Sequence, residues 1–168
     1  MMLSLARHIP KADASLRAGK WERSKFTGVE IYGKTLGVIG FGKIGGRVGA
    51  ASRAMGMRVI VFDPFVAEEH LKKQGFELVT FDQLIAEADF ITLHIPKTKD
   101  TANLINAERL SKMKKGVRII NCARGGVIDE KALAEAVKSG HVAGAAIDVF
   151  EKEPPAADNP LLNVPQII

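Results

Sequence analysis

The chain carries one cysteine, Cys122, one tryptophan and one tyrosine among its 168 residues. A single thiol excludes an internal disulfide and any metal site built from several cysteines, so no metal is expected. It also fits a reducing compartment, and the expected location is the cytoplasm. No apolar run approaches the roughly 20 residues that a membrane-spanning helix requires. Residues 1–5 are too short and too poorly flanked for a secretory signal, so no membrane partner is expected. Charge of one sign is also scarce, with 24 Lys and Arg against 19 Asp and Glu and a net charge of +5. The basic residues are scattered apart from Lys112-Met-Lys-Lys115, and aromatics are not interleaved with them, which argues against a nucleic-acid surface. An anionic small ligand suits this charge better. Low-complexity tracts and solenoid-length repeats are missing too.

What is present is a soluble composition, 46% hydrophobic and 26% charged. A chain of this length buries about 70% of its unfolded surface, enough for one domain with a proper core. The most informative stretch is Thr35-Leu-Gly-Val-Ile-Gly-Phe-Gly-Lys-Ile-Gly45. Its apolar run predicts a strand, Gly40-Phe-Gly-Lys-Ile-Gly45 has the G-x-G-x-x-G spacing, and residues 43–55 continue as a helix. Gly40 permits the turn, Gly42 lets a pyrophosphate approach the backbone, and Gly45 allows helix and strand to pack closely. The helix N-terminus, with its unpaired N–H groups, favours the negative charge. Residues 58–62 read as the next buried strand, ending at Asp63. A carboxylate there accepts from the two ribose hydroxyls of an adenosine and repels a 2′-phosphate, which favours NAD over NADP.

Before this motif, residues 1–16 read as a helix with apolar positions at Leu3, Ala6, Ile9 and Ala12, kinked or interrupted by Pro10. Residues 21–33 read as a loop anchored by Phe26 and Ile31, with Trp21 as a partly buried packing residue or part of an interface. After Asp63, helices are predicted over 66–74, 81–87, 107–113 and 129–138, and strands over 76–79, 90–93, 117–120 and 142–147. Strands alternate with helices throughout, which specifies an α/β fold with a doubly wound parallel sheet of the Rossmann type. Ligands of such sheets bind beyond the carboxyl ends of the strands. Gly40 to Gly45, Asp63, His94 to Pro96, Asn121 to Gly126 and Asp148 all lie at such ends.

Asn121-Cys-Ala-Arg-Gly-Gly-Val-Ile-Asp129 and Asp148-Val-Phe-Glu-Lys-Glu-Pro-Pro155, together with the glycine motif and Leu5-Ala-Arg-His-Ile-Pro10, resemble the nucleotide-binding domain of the NAD-dependent D-isomer-specific 2-hydroxyacid dehydrogenases. The resemblance is greatest to the phosphoglycerate-oxidising branch. It implies that Lys43 and Ile44 lie under the pyrophosphate, that Asp63 holds the adenosine ribose, and that Ile95 and Pro96 line the adenine end. Cys122 and Ala123 would present backbone to the nicotinamide, the Cys122 thiol being a small packing group, and Asp148 would contact its carboxamide or ribose. Arg124 would orient the carboxylate or keto oxygen of a small 2-hydroxy or 2-oxo acid, a task for which its forked, permanently charged guanidinium is suited. Glu153 would be the acid that raises the pKa of a catalytic histidine. His94, at the adenine side, is expected to be structural.

The resemblance further implies that residues 1–168 form one NAD-binding domain without its substrate domain. Residues 1–20 would belong to an interdomain helix, residues 164–168 would begin a last strand, and the catalytic histidine would follow Ile168. A homodimer through this domain is implied as well. Two alternatives remain open: a cofactor-sensing interaction module like the corepressor branch of the superfamily, and a sibling enzyme acting on glycerate, lactate or glyoxylate.

Overall fold

A computed structural model describes all residues from Met1 to Ile168. Six strands form one parallel sheet: β1 (Thr35–Ile39), β2 (Arg58–Phe62), β3 (Glu77–Leu78), β4 (Phe90–Leu93), β5 (Val117–Asn121) and β6 (Val142–Ile147). Their spatial order is β3-β2-β1-β4-β5-β6. Seven α-helices accompany them: α1 (Met2–Ala6), α2 (Ile9–Arg17), α3 (Lys43–Ala54), α4 (Glu68–Lys73), α5 (Phe81–Glu87), α6 (Ala107–Lys112) and α7 (Glu130–Lys138). The strands are short and, apart from the two-residue edge strand β3, mostly buried on both faces, as expected of a parallel sheet covered by helices.

Two apolar layers result. On one face Leu84 and Ile85 of α5, Leu110 of α6 and Leu133 of α7 pack on Ile39, Ile91 and Ile119. On the other, Leu5 and Ala6 of α1 and Leu71 of α4 pack with Leu36, Val38, Val61 and Phe90. Side-chain alternation along each strand divides it between these layers. In β1 the face toward α5 carries Gly37, where an added Cβ would fall 2.6 Å from Leu84 Cδ2. After the last helix the chain returns beside β6, with the Ile147 N–H donating to Ile168 O at 2.8 Å and the Ile168 N–H to Ala145 O at 2.9 Å. Residues 166–168 thus lie against β6 in the manner of a further parallel strand.

The structure corrects the reading of the first 20 residues. They form two helices, not one, and the break lies at Arg7-His8, not at Pro10. His8 has a φ of 55°, in the left-handed region, which ends the first helical turn path. Pro10 sits in the first turn of α2, where its missing N–H costs nothing. Leu3, Ile9 and Leu16 are about half exposed, while Leu5 and Ala6 carry the packing. Trp21 is 81% exposed, so it is not a packing residue. The loop after it contains a 3-10 turn at Arg23–Phe26, and Ile31 is its buried anchor.

The Gly37–Leu84 contact generates a coupled prediction. Leu84→Ala should cost about 2–5 kcal/mol by opening a cavity, and Gly37→Ala about 1–3 kcal/mol by overpacking. The double variant should cost clearly less than the sum, because the new methyl occupies the vacated space. Urea denaturation of the three variants checks this; strict additivity would show that the two positions do not share one space.

Candidate cofactor and substrate site

Parallel pairing brings every strand's carboxyl end to one edge. There the chain leaves β1 through Gly40, whose φ of 90° is accessible to glycine without strain. Gly40 is also enclosed: an added Cβ would lie 2.7 Å from both His94 O and Ile95 Cγ2. Gly45 packs against the Gly40 carbonyl and the His94 ring, so its missing side chain tightens the turn itself more than a helix–strand contact. Gly42 is different. It precedes α3 with a φ of −75°, and nothing lies within 4 Å of where its Cβ would be. Here the backbone faces open space, as an approaching phosphate requires.

The helix caps reinforce this. Thr80, Asn106 and Asp129 accept from the backbone N–H of Gln83, Arg109 and Ala132 at 3.2, 3.0 and 2.9 Å, closing α5, α6 and α7. Gly42 offers α3 no such side chain. The first N–H groups of that twelve-residue helix therefore remain available to an anion. Lys43 and Arg47 line the adjoining groove of about 410 Å³ with His70 and Gln74, and neither cation is held in an ion pair. Ile44 is 68% exposed at the same helix end, an apolar surface left uncovered.

Asp63 is committed to the turn before any ligand arrives. Its Oδ2 accepts from the Phe41 N–H at 2.7 Å and its Oδ1 from the Phe65 N–H at 2.9 Å. Phe41 is in turn buried edge-on against Phe76, with ring centroids 4.9 Å apart. A carboxylate has about four acceptor positions, so two remain for a pair of hydroxyls. Ile95 and Pro96 follow β4 beside this turn, Ile95 half-buried and Pro96 exposed. His94 donates its backbone N–H to Ile39 O at 2.8 Å, and its ring nitrogen Nε2 lies 3.0 Å from Thr92 Oγ1. Burial pushes its pKa below the ordinary imidazole value. Those contacts make His94 a support for the turn.

The other end of the crevice is built around Asn121, a residue to which the sequence assigned no separate role. It is 2% exposed. Its side-chain Oδ1 accepts from the Ala123 N–H at 3.1 Å, its Nδ2 donates to Arg124 O at 3.0 Å, and its backbone oxygen accepts from the Asp148 N–H at 3.0 Å. One buried amide therefore fixes the turn bearing Arg124 and joins it to the end of β6. A buried Asn at a strand end, two residues ahead of the turn it closes, is the signal that could have identified it. Arg124 is exposed and unpaired, with only an Nη1 bond to Ala123 O at 2.7 Å. Cys122 is exposed where β5 ends at the surface, and its thiol packs 3.1 Å from Met1 Sδ. Although the residue is exposed, its sulfur is partly shielded from water, and that partial desolvation with the neighbouring Asp148 charge pushes the thiol up, away from nucleophilic character.

Glu153 lies in the loop after Asp148, where its Oε1 accepts from the Phe150 N–H at 3.0 Å. Gly125 has no room for a side chain because the Phe150 carbonyl occupies that space, so the Arg124 turn and the Glu153 loop are packed backbone to backbone. Glu151 instead lines an acidic groove with Glu130 and Glu135, and Glu130 holds the Glu151 N–H at 2.6 Å. The predicted residues thus fall in two groups along one edge, Gly40 to Gly45 with Asp63 and Ile95 at one end, and Cys122 to Arg124, Asp148 and Glu153 at the other.

Comparison with known proteins identifies the family and the fold. Residues 1–168 match the family model for the D-isomer specific 2-hydroxyacid dehydrogenase, NAD binding domain. The chain is 54% identical over 168 residues to a D-3-phosphoglycerate dehydrogenase of Bacillus subtilis and 52% identical to that of Archaeoglobus fulgidus, covering all of this chain and 32% of each relative. Among solved structures, a glyoxylate reductase from Paecilomyes thermophila superposes with a TM-score of 0.91 at 39% identity, over 99% of this chain and 50% of that one. D-lactate dehydrogenase from Aquifex aeolicus, complexed with NAD and lactic acid, gives 0.89 at 36% identity, over 99% and 55%.

Two outcomes follow from the geometry. Gly42→Ala should leave stability within about 0.5 kcal/mol of wild type, since its φ suits alanine and its side is open, yet weaken NADH binding markedly. Equal NADH affinity in the variant would remove Gly42 from the cofactor path. The second concerns His94. Its lowered folded pKa means the unfolded chain binds the proton more tightly, so stability should decline as pH falls below about 6.5 and level off below the folded pKa. His94→Gln should flatten that decline in a pH series of melting curves.

Proposed function

The chain belongs to the D-isomer specific 2-hydroxyacid dehydrogenase family as its NAD-binding domain, and from that premise we propose that it serves a longer enzyme oxidising D-3-phosphoglycerate. The observation that carries the reading is the packing of the Arg124 turn against the Glu153 loop at the same sheet edge as the glycine turn. When bound, NAD supplies the hydride acceptor. The chain's own residues orient and polarise. The N–H groups at the start of α3, with Lys43, receive the pyrophosphate; Ile44 covers it; Asp63 accepts from the adenosine ribose; Ile95 and Pro96 border the adenine. The backbone of Cys122 and Ala123 and the carboxylate of Asp148 receive the nicotinamide end.

Arg124 holds the substrate carboxylate in a forked pair of hydrogen bonds, setting the C2 hydrogen toward the cofactor. Glu153 accepts from an imidazole, favouring its protonated form, so that the imidazole removes the hydroxyl proton as hydride leaves C2. None of the four histidines of this chain lies in that loop: His8 stands at the start of α2, His70 lies in α4, His94 supports the turn, and His141 precedes β6. We therefore place the proton acceptor, and the substrate domain, in parts of the longer protein outside these 168 residues. Serine biosynthesis and the cytoplasm are the setting this reading implies. No helix is long and apolar enough to cross a membrane.

Leu3 on α1, Ile9 and Leu16 on α2, and Trp21 after them are large apolar side chains left half or more exposed, and that uncovered surface supports a homodimer through this domain. A sibling substrate is the second reading, favoured by the close superposition on the glyoxylate reductase and D-lactate dehydrogenase structures. NADH titration should show saturable binding, and Asp63→Ala should weaken it by about ten- to a hundredfold, the loss of about 1.5–3 kcal/mol of charged hydrogen bonds. Absence of binding at millimolar NADH would refute the site. The longer protein should prefer 3-phosphoglycerate over lactate, glycerate and glyoxylate in kcat/KM; preference for another acid would refute the substrate.

A further inference from the structure

At the edge of the sheet opposite the crevice, three basic side chains share a cavity to which nothing in the cofactor site extends. His8, Lys11 and Arg118 line it with Ser4, Gln166 and Ile168. All three bases are partly buried. None has a side-chain carboxylate partner, and no acidic side chain borders the cavity. The nearest acid on α2, Asp13, is already paired with Arg17 at 2.9 Å.

Arg118 is the fixed element. It projects from β5 over the Phe90 ring, 5.7 Å from the centroid, and its only hydrogen bond is a long one of 3.4 Å to Gly116 O. The remaining donors of a planar fork are free to grip two oxygens at once. His8 is held at the cavity by its left-handed backbone, the break between α1 and α2. Partial burial together with Lys11 and Arg118 pushes the His8 pKa down, and burial does the same to Lys11 and Arg118. No titratable side chain faces His8 from α1, β6 or residues 166–168; the polar side chains there are Ser4 and Gln166, and the one anionic group this chain can bring to the lining is the terminal carboxylate of Ile168. Three like charges placed together out of full hydration repel one another unless an anion joins them.

We propose that this cavity is an oxyanion site in which Arg118, Lys11 and His8 grip a phosphate or carboxylate group. The cavity measures about 20 Å³, space for little more than one water-sized group. One or two anion oxygens enter it, and the rest of the ligand stays at the mouth. Arg118 supplies the fork, Lys11 a mobile point charge, and His8 a proton-dependent third donor. Ser4 and Gln166 are within the same lining and add neutral donors.

The test reads His8 by proton NMR in this chain with Ile168 amidated, which removes the terminal carboxylate from the lining, and with inorganic phosphate or acetate added at constant ionic strength. Phosphate should raise the His8 midpoint saturably, and Arg118→Gln should weaken that response at least tenfold. Lys11→Glu should raise the midpoint without any added anion and abolish the response, because the carboxylate then sits inside the protein. That second variant lies on the surface of α2 and keeps the test decisive if Arg118→Gln fails to fold. Phosphate active with acetate silent assigns a tetrahedral oxyanion; equal responses assign a carboxylate. A His8 midpoint unmoved at tens of millimolar of both anions, or a response unchanged in Arg118→Gln, overturns the proposal. Because the signal is local to His8, anion capture at the α3 N-terminus does not enter it.

Discussion

The parallel register around β1 is the constraint on which everything else rests. Ile39 is paired with Phe62 on one side and Leu93 on the other, and Asn121 with Leu93 and Ile147. All these strands therefore stop at nearly the same height. Five turns distant in sequence are forced into one row, and a ligand lying along the row touches each of them. Hydrogen bonds then convert that proximity into fixed shape. Asp63 ties the end of β2 to the turn after β1, and Asn121 ties the turn after β5 to the end of β6.

Most of the fold was legible because short apolar runs bounded by glycine and polar turns have one economical solution, a covered parallel sheet. The strands over 58–62, 90–93 and 142–147 and the helix over 81–87 fall where periodicity puts them. The break at His8 was not legible: a left-handed histidine carries no compositional mark, whereas Pro10 looks like a breaker and is harmless in a first turn. Trp21 misled for a related reason, since hydrophobicity says what burial would gain and not whether a partner surface exists within the chain.

In the site, glycine spacing disclosed the pyrophosphate turn, because a missing Cβ is itself the function at Gly42. The roles of Asp63 and Asn121 toward the backbone were hidden. Asp63 acts on a residue 22 positions away, and that contact exists only after the sheet has formed. Asn121 acts locally, yet the need for its amide depends on burial that periodicity alone does not reveal. The contrast between the two divides the crevice: one end is braced by a charged acceptor facing solvent, the other by a neutral amide sealed from it. A ligand can replace water at the first without disturbing the second.

The exposed position of Trp21 has a spectroscopic consequence. The chain's only indole stands in water after the second helix and belongs to neither packed layer. Its emission is already that of a hydrated chromophore in the native state, so intrinsic fluorescence is nearly blind to loss of the core. A blue shift of that emission instead registers a surface closing over Trp21, which makes the residue a built-in probe of association that is silent toward unfolding.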